Sequence, residues 1–194
     1  MLDTYGRKYI NPLIDFLARK LIQKNIKPDH ITIAALITGL SCFFFILAGQ
    51  NLIAFFLLWL SGLLDTLDGA AARQIGKPTA WGTFLDITFD RLVEAGIILA
   101  LAVKNPSSLL VLLVLTITIL LSMTIFLTVG ALARQKGIKS FYYQAGLMER
   151  TEGFILFSLM LLFPSHLTLI TCIFAALIGI TILQRAAEAR KILP

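Results

Sequence analysis

The sequence predicts an all-α integral membrane protein, with six transmembrane helices preceded by an N-terminal amphipathic helix lying in the membrane interface. Three observations lead there. Of 194 residues, 58% are hydrophobic and only 14% charged, and mean hydropathy is +0.86, which leaves too little polar surface for a fold dissolved in water. A spanning helix takes about 20 mostly apolar residues, so the chain has room for six crossings with short loops and reads as one membrane domain, residues 1–194. Apolar runs broken by Gly, Asn and Pro recur at the spacing such helices require.

Each element follows from its own residues. Residues 1–27 mix Ile10, Leu13, Ile14, Phe16, Leu17, Leu21 and Ile22 with Arg7, Lys8, Arg19, Lys20 and Lys24, a stretch too polar to span but suited to the interface. It has no basic start running into a short apolar core, which predicts no cleaved signal peptide. The six-helix bundle is assigned to residues 28–194. Pro28-Asp29 opens a first span over Ile31 to Ala48, and Gly49-Gln50-Asn51 turns the chain. The second apolar run, Leu52 to Leu64, reaches only about 20 Å at a rise of about 1.5 Å per residue, short of the ~30 Å hydrocarbon core. That helix must therefore continue through Asp65 and Asp68.

After a polar loop from Gln74 to Thr79, a third helix carries Asp86, Asp90 and Glu94 and then turns apolar to Val103. Lys104-Asn105-Pro106 breaks the chain before a long fourth span, Leu109 to Leu132. A basic connection, Arg134 to Tyr143, leads to a fifth helix over Met148 to Phe163; past Pro164-Ser165 a sixth runs from His166 to Arg185 or beyond. Cys42 and Cys172 fall inside apolar runs without metal spacing and read as small buried hydrophobes.

The net charge of +6 sits at helix ends without interleaved aromatic residues, which points to anionic lipid headgroups as partners and away from nucleic acid. Placing the N-terminus inside puts Arg7 to Lys27, Arg73, Lys77, the cations from Arg134 to Arg150, and Arg185 to Lys191 in the cytoplasm, leaving Lys104 in the outside loops. Both termini are then cytoplasmic, and Asp65, Asp68, Asp86 and Asp90 meet near the cytoplasmic surface.

One ionised carboxylate near the bilayer centre costs about 2.5 kcal/mol or more, so four of them must be neutralised. Asp65 and Asp68 are spaced i,i+3 and Asp86 and Asp90 i,i+4, which puts each pair on one helical face. Converging carboxylates form an oxygen-rich site for hard divalent cations such as Mg²⁺ or Mn²⁺. Gly62, Gly69 and Gly82 lie among them, where small residues let helices approach or leave room for a ligand. Arg73, two turns past Asp65, has the fork to hold phosphate oxygens, and a positive-inside role is the competing reading.

The run Asp65-Thr-Leu-Asp68-Gly69-Ala-Ala-Ala72-Arg73, followed by Gly82, Asp86 and Asp90, fits D-x2-D-G-x2-A-R-x8-G-x3-D-x3-D at every fixed position. It resembles the signature of the CDP-alcohol phosphotransferases, whose length and span count the whole chain also resembles. The resemblance implies metal-dependent transfer of a phosphatidyl group from CDP-diacylglycerol to an acceptor alcohol with release of CMP, in phospholipid biosynthesis, by a homodimer in a prokaryotic inner membrane. It implies that Asp65, Asp68 and Asp86 hold divalent metal, two ions of Mg²⁺ or Mn²⁺, against the pyrophosphate. Asp90 would be the general base and reach a second ion. Gly69 and Arg73 would lie against the nucleotide phosphates. Asp29 and Thr32, within Pro28-Asp29-His30-Ile31-Thr32, and Thr79, within Thr79-Ala-Trp81-Gly82, resemble further nucleotide contacts. An ordinary helix cap is the alternative for Asp29 or Thr32. The motif offers no serine, cysteine or histidine as a covalent nucleophile, which favours direct transfer.

The acceptor stays open among glycerol 3-phosphate, inositol phosphate, serine, other small alcohols and a phospholipid. Met148-Glu149-Arg150-Thr151-Glu152 and Gln184-Arg185 resemble segments of family members, and Arg134, Arg150 and Arg185 are the acceptor-side candidates, positive-inside placement being the alternative. Thr128 to Arg134 lacks the lysine that inositol-phosphate users carry there, and residues 29–32 do not lead into the arginine-containing segment of glycerol-phosphate users. Rival classes fit less well. A carboxylate cation transporter would spread its acids through the membrane depth, whereas Leu52 to Leu60 and Ala95 to Val103 are apolar. An aspartate-rich prenyl-type transferase also binds pyrophosphate through Mg²⁺ but does not call for this glycine, arginine and second-aspartate spacing, and a lipid-binding scaffold has no use for a base at Asp90.

Overall fold

The computed structural model describes residues 2–76, 79–133, 144 and 146–193, with side chains from residue 11 onward. Among the described residues it is helical without strands, and it divides into two compact units, Thr4–Pro106 and Ser107–Pro194, the first three residues being grouped with the latter.

The first unit holds α1 (Leu2–Gln23), α2 (Pro28–Leu47), α3 (Asn51–Gln74) and α4 (Ala80–Lys104). Pro28 starts α2 where a missing N–H costs nothing, and Gly49, at φ 79°, supplies the left-handed residue that ends it. α3 continues through both carboxylates, as the length argument requires. The far end of the unit is tied by Lys104 Nζ, which donates to Asn51 Oδ1 at 3.2 Å. α2, α3 and α4 close on one another around Gly39: a Cβ there would stand 2.8 Å from both Ser61 Oγ and Val93 Cγ1. Ser61 Oγ also donates to the Ala35 carbonyl at 2.8 Å, a buried hydrogen bond between α3 and α2. α1 seats Ile14 and Ala18 against Ile31 of α2 and Leu67, Ala70 and Ala71 of α3. Gln74 Nε2 fastens it by donating to the Asp15 carbonyl at 3.0 Å.

The second unit begins with a 3-10 turn, Pro106–Ser108, and continues through α5 (Leu109–Leu132), α6 (Arg150–Leu162), a 3-10 turn at Pro164–His166 and α7 (Leu167–Ile192). Ser108 and Thr168 share a hydrogen bond of 2.8 Å, and Phe157 of α6 meets Phe174 of α7 edge to face at 5.1 Å. α6 starts at Arg150, two residues after the predicted Met148, because Glu149 is extended, at φ −106° and ψ −173°, and stands as the N-cap. Leu147 N donates to Gln184 Oε1 at 3.0 Å and Met148 N to Thr181 Oγ1 at 2.9 Å, so side chains of α7 satisfy donors of the segment leading into α6.

Among the described residues, four segments are long and apolar enough to cross a membrane: Pro28–Leu47, Asn51–Gln74, Pro106–Leu132 and Pro164–Ile192. α6 has 13 residues, and α4 carries Asp86, Asp90, Arg91 and Glu94 in its first half and middle. Large apolar side chains stand outward on the long helices, Leu110 being 73% and Leu183 70% exposed, as hydrocarbon contact would have it. Cys42 is buried as expected, but Cys172 is exposed. It lies on the outward side of α7 beside Ile173, a face as apolar as the packed one, so hydrophobicity alone had no means of separating the two.

Gly39→Val is expected to cost about 1–3 kcal/mol by overpacking the three-helix junction. The readout is a lower thermal unfolding midpoint in detergent, partly recovered when Val93→Ala is added.

Candidate functional site

The acidic site is built by α3 and α4. Asp65 is buried on α3, Asp86 and Asp90 are half-buried one turn apart on α4, and one carboxylate oxygen from each lies within 4.8 Å of the others. A hard cation holds oxygen ligands at about 2.1 Å, so ligands across it lie about 4.2 Å apart at most. Small rotations of these side chains therefore suffice to enclose a divalent ion, and the all-oxygen donor set suits Mg²⁺ or Mn²⁺.

Asp68 lies outside that three-residue group but belongs to the same charged neighbourhood. It is buried, near enough to Asp65 and Asp86 for their charges to act on it, and it neighbours the Thr32 side chain of α2. Its Oδ2 is buried without a hydrogen-bond partner among the described residues. A carboxylate oxygen in that position calls for a cation or a donor. Arg73 folds back along α3, so that a Cβ on Gly69 would stand 3.3 Å from its Nη1. The glycine thus leaves space for the guanidinium beside the turn that carries Asp68.

The three remaining donor-side candidates have different local settings. Thr79 is the N-cap of α4, accepting a hydrogen bond from Gly82 N at 2.9 Å. Sequence reasoning took Thr79 only as a nucleotide contact and missed this capping role, although a threonine directly ahead of a helix start is its signal. Thr32 Oγ1 donates back to the Pro28 carbonyl at 3.1 Å, and the α2 N-cap position is Lys27, without a side-chain capping bond. Neither Asp29 nor Thr32 is therefore the cap. Asp29 is exposed in the first turn of α2. A further pair, unforeseen, follows Asp90 directly: Arg91, the next residue, and Glu94, one turn on, form an ion pair at 2.6 Å on α4.

Of the acceptor-side candidates, Arg185 is the most enclosed, at 7% exposed on α7. Its Nη1 donates to Ser122 Oγ at 3.0 Å and to the Ser122 carbonyl at 3.2 Å, and its guanidinium lies 4.9 Å from the Phe126 ring centroid. Gln144, fully buried, donates from Nε2 to the Arg185 carbonyl at 3.1 Å. Arg150 opens α6 with its guanidinium 5.6 Å from the Phe154 ring centroid. Arg134 lies outside the described residues. Ser122 and Gln144 were not anticipated from sequence.

Comparison with known proteins bears on these features. The family model for CDP-alcohol phosphatidyltransferase matches residues 25–186. The chain is 37% identical to the inner membrane protein YnjF of Escherichia coli, over 95% of this chain and 93% of that protein. It is 32% identical to an archaetidylinositol phosphate synthase of Pyrococcus horikoshii, over 98% of this chain and 97% of that one. Among solved structures, it shares the fold of the Mycobacterium tuberculosis phosphatidylinositol phosphate synthase with CDP-DAG bound. That likeness has a TM-score of 0.75 and 23% identity, and covers 92% of this chain and 94% of that one. The same synthase in complex with manganese and citrate matches equally, with a TM-score of 0.75, 23% identity and coverage of 91% and 88% respectively.

Two outcomes are expected from this geometry. Asp65→Asn weakens Mn²⁺ binding roughly tenfold or more, since ligand charge sets the affinity of such sites, as read by calorimetric titration of the detergent-purified protein. Thr79→Ala costs about 1 kcal/mol through loss of the cap, as read from the thermal midpoint.

Proposed function

The chain belongs to the CDP-alcohol phosphatidyltransferase family, and from that premise we propose that it moves a phosphatidyl group from CDP-diacylglycerol onto an alcohol, releasing CMP, in phospholipid biosynthesis. The observation that carries this reading is the convergence of Asp65, Asp86 and Asp90 within 4.8 Å, with buried Asp68 alongside, in the spacing of the family motif. Asp65, Asp68, Asp86 and Asp90 would hold Mg²⁺ or Mn²⁺, two ions in this reading. Such ions, when bound, neutralise the pyrophosphate and stabilise the departing CMP.

The rest falls to the chain's own residues. Asp90 takes the proton from the acceptor hydroxyl as that oxygen attacks, in line, the phosphorus bearing the lipid. The bond from that phosphorus to the CMP oxygen breaks without a covalent enzyme intermediate. Gly69 and Arg73 accommodate the nucleotide phosphates, with Asp29, Thr32 and Thr79 as further contacts to the CDP moiety. The exposed carboxylate of Asp29 supports its part, while Thr79 would combine nucleotide contact with its capping bond.

For the acceptor, the reading favours a phosphorylated polyol, with inositol phosphate to be tested first. Arg150 and Arg185, with Arg134, would receive its phosphate. What supports this is the enclosure of Arg185 and the products named for the relatives in Pyrococcus horikoshii and Mycobacterium tuberculosis. Against it stands the missing lysine between Thr128 and Arg134. In the same reading the protein is a single domain, residues 1–194, in a prokaryotic inner membrane. α4 and α6 join the four long segments as spans, giving a six-helix bundle over 28–194, while residues 1–27 lie in the interface. Both termini and the acidic site face the cytoplasm, and the protein is a homodimer. The lysine and arginine distribution supports the orientation.

The test is CMP release by the purified protein from CDP-diacylglycerol with Mg²⁺ or Mn²⁺, against glycerol 3-phosphate, serine, inositol, inositol phosphate, glycerol, choline and phosphatidylglycerol. Release dependent on inositol phosphate, reduced by a factor on the order of 10² or more in Asp90→Asn, is the expected result. Release driven by another alcohol overturns the acceptor assignment. Undiminished turnover in Asp90→Asn overturns the base.

A further inference from the structure

Resting on the reading that Arg185 receives the acceptor's phosphate, we propose that Ser122 is a positioning residue, holding the Arg185 guanidinium in place before the acceptor arrives. Hydroxyls in an apolar helix ordinarily bond back to their own backbone. On α5, Thr116, Thr118 and Thr124 do so, donating to the carbonyls of Leu112, Leu115 and Leu120 at 2.9, 2.8 and 2.8 Å. Ser122, on the same helix, instead receives a hydrogen bond from Arg185 across to α7.

Both oxygens of Ser122 accept from the same nitrogen. Nη1 of Arg185 is 3.0 Å from the hydroxyl and 3.2 Å from the main-chain carbonyl, so one end of the fork is held at two points. Phe126, one turn farther along α5, presents its ring to the guanidinium at 4.9 Å. The main chain of Arg185 is held as well, by the buried Gln144 amide at 3.1 Å.

The consequence for binding is entropic and geometric. Arginine is among the side chains with the most rotamer freedom to lose, and a ligand that must immobilise one binds more weakly for it. With Nη1 committed to Ser122, the plane of the guanidinium is set, and a planar fork at fixed orientation suits two parallel bonds to phosphate. Alanine at 122 would leave the carbonyl but remove the hydroxyl, which loosens the fork without deleting it. Threonine keeps an oxygen at the same branch of the side chain.

The experiment uses inositol phosphate as the acceptor and CDP-diacylglycerol as the donor, with the full chain in detergent. Ser122→Ala is expected to raise the acceptor KM roughly tenfold, the scale of one hydrogen bond to a charged group, while leaving the donor KM and thermal midpoint near wild type. Ser122→Thr should restore the acceptor KM. In an Arg185→Ala background, Ser122→Ala should add nothing. If Arg185→Ala raises the acceptor KM and Ser122→Ala does not, the positioning role is overturned and the role of Arg185 stands. If Arg185→Ala itself leaves the acceptor KM unchanged, the acceptor reading falls and this inference with it. A loss spread equally over both KM values, kcat and the thermal midpoint marks Ser122 as structural and also overturns the proposal. Should the alanine variant fail to fold, Ser122→Cys, nearly the same shape with a weaker acceptor, gives the same KM comparison.

Discussion

Mutual repulsion among carboxylates gathered at close range is the constraint on which the first unit is built. Asp65, Asp86 and Asp90 are gathered within 4.8 Å on helices that are apolar farther along. In water such groups would separate; here the packing of α2, α3 and α4 at Gly39, Ser61 and Val93 holds their backbones together. The stability of the helix contact and the strain of the charge cluster are therefore opposed, and a bound cation relieves the second without disturbing the first. The junction lies one turn from the acids, Ser61 four residues before Asp65 and Val93 three residues after Asp90, so the site is held by a close support that takes no part in its chemistry.

The two units rely on different physics to place their charged groups. In the first, anions converge by helix spacing, and backbone proximity is the organising device. In the second, a cation is enclosed by oxygen lone pairs and an aromatic face, and hydrogen bonds between distant residues do the organising. Gln144, Thr181 and Gln184 extend that network to the segment leading into α6, whose main-chain donors they satisfy in part.

This difference explains how much could be read beforehand. The acids of α3 and α4 were legible because their spacing is local and because 13 apolar residues are too few to cross a bilayer. The start of α5 and its end at Leu132 were legible for a similar reason, an unbroken apolar run between clear breaks. Ser122 was not, since its partner is 63 residues away and nothing around either residue announces the other. Cys172 was misread because a helix apolar on all sides carries no periodicity to separate lipid from neighbour. The capping role of Thr79 was hidden by a motif that explained the residue in another way, and physical roles at one position need not exclude each other.

The seat of α1 has a consequence for assembly. Ile14 and Ala18 rest on Ile31, Leu67, Ala70 and Ala71, all of which follow them in the chain. Synthesis runs from N- to C-terminus, so α1 exists before the surface it packs against, and its apolar stripe stays uncovered until α2 and α3 have been made. Leu67, Ala70 and Ala71 are chain neighbours of Asp68 and Gly69, so α1 gains its seat only once the stretch of α3 that carries the acids has been made.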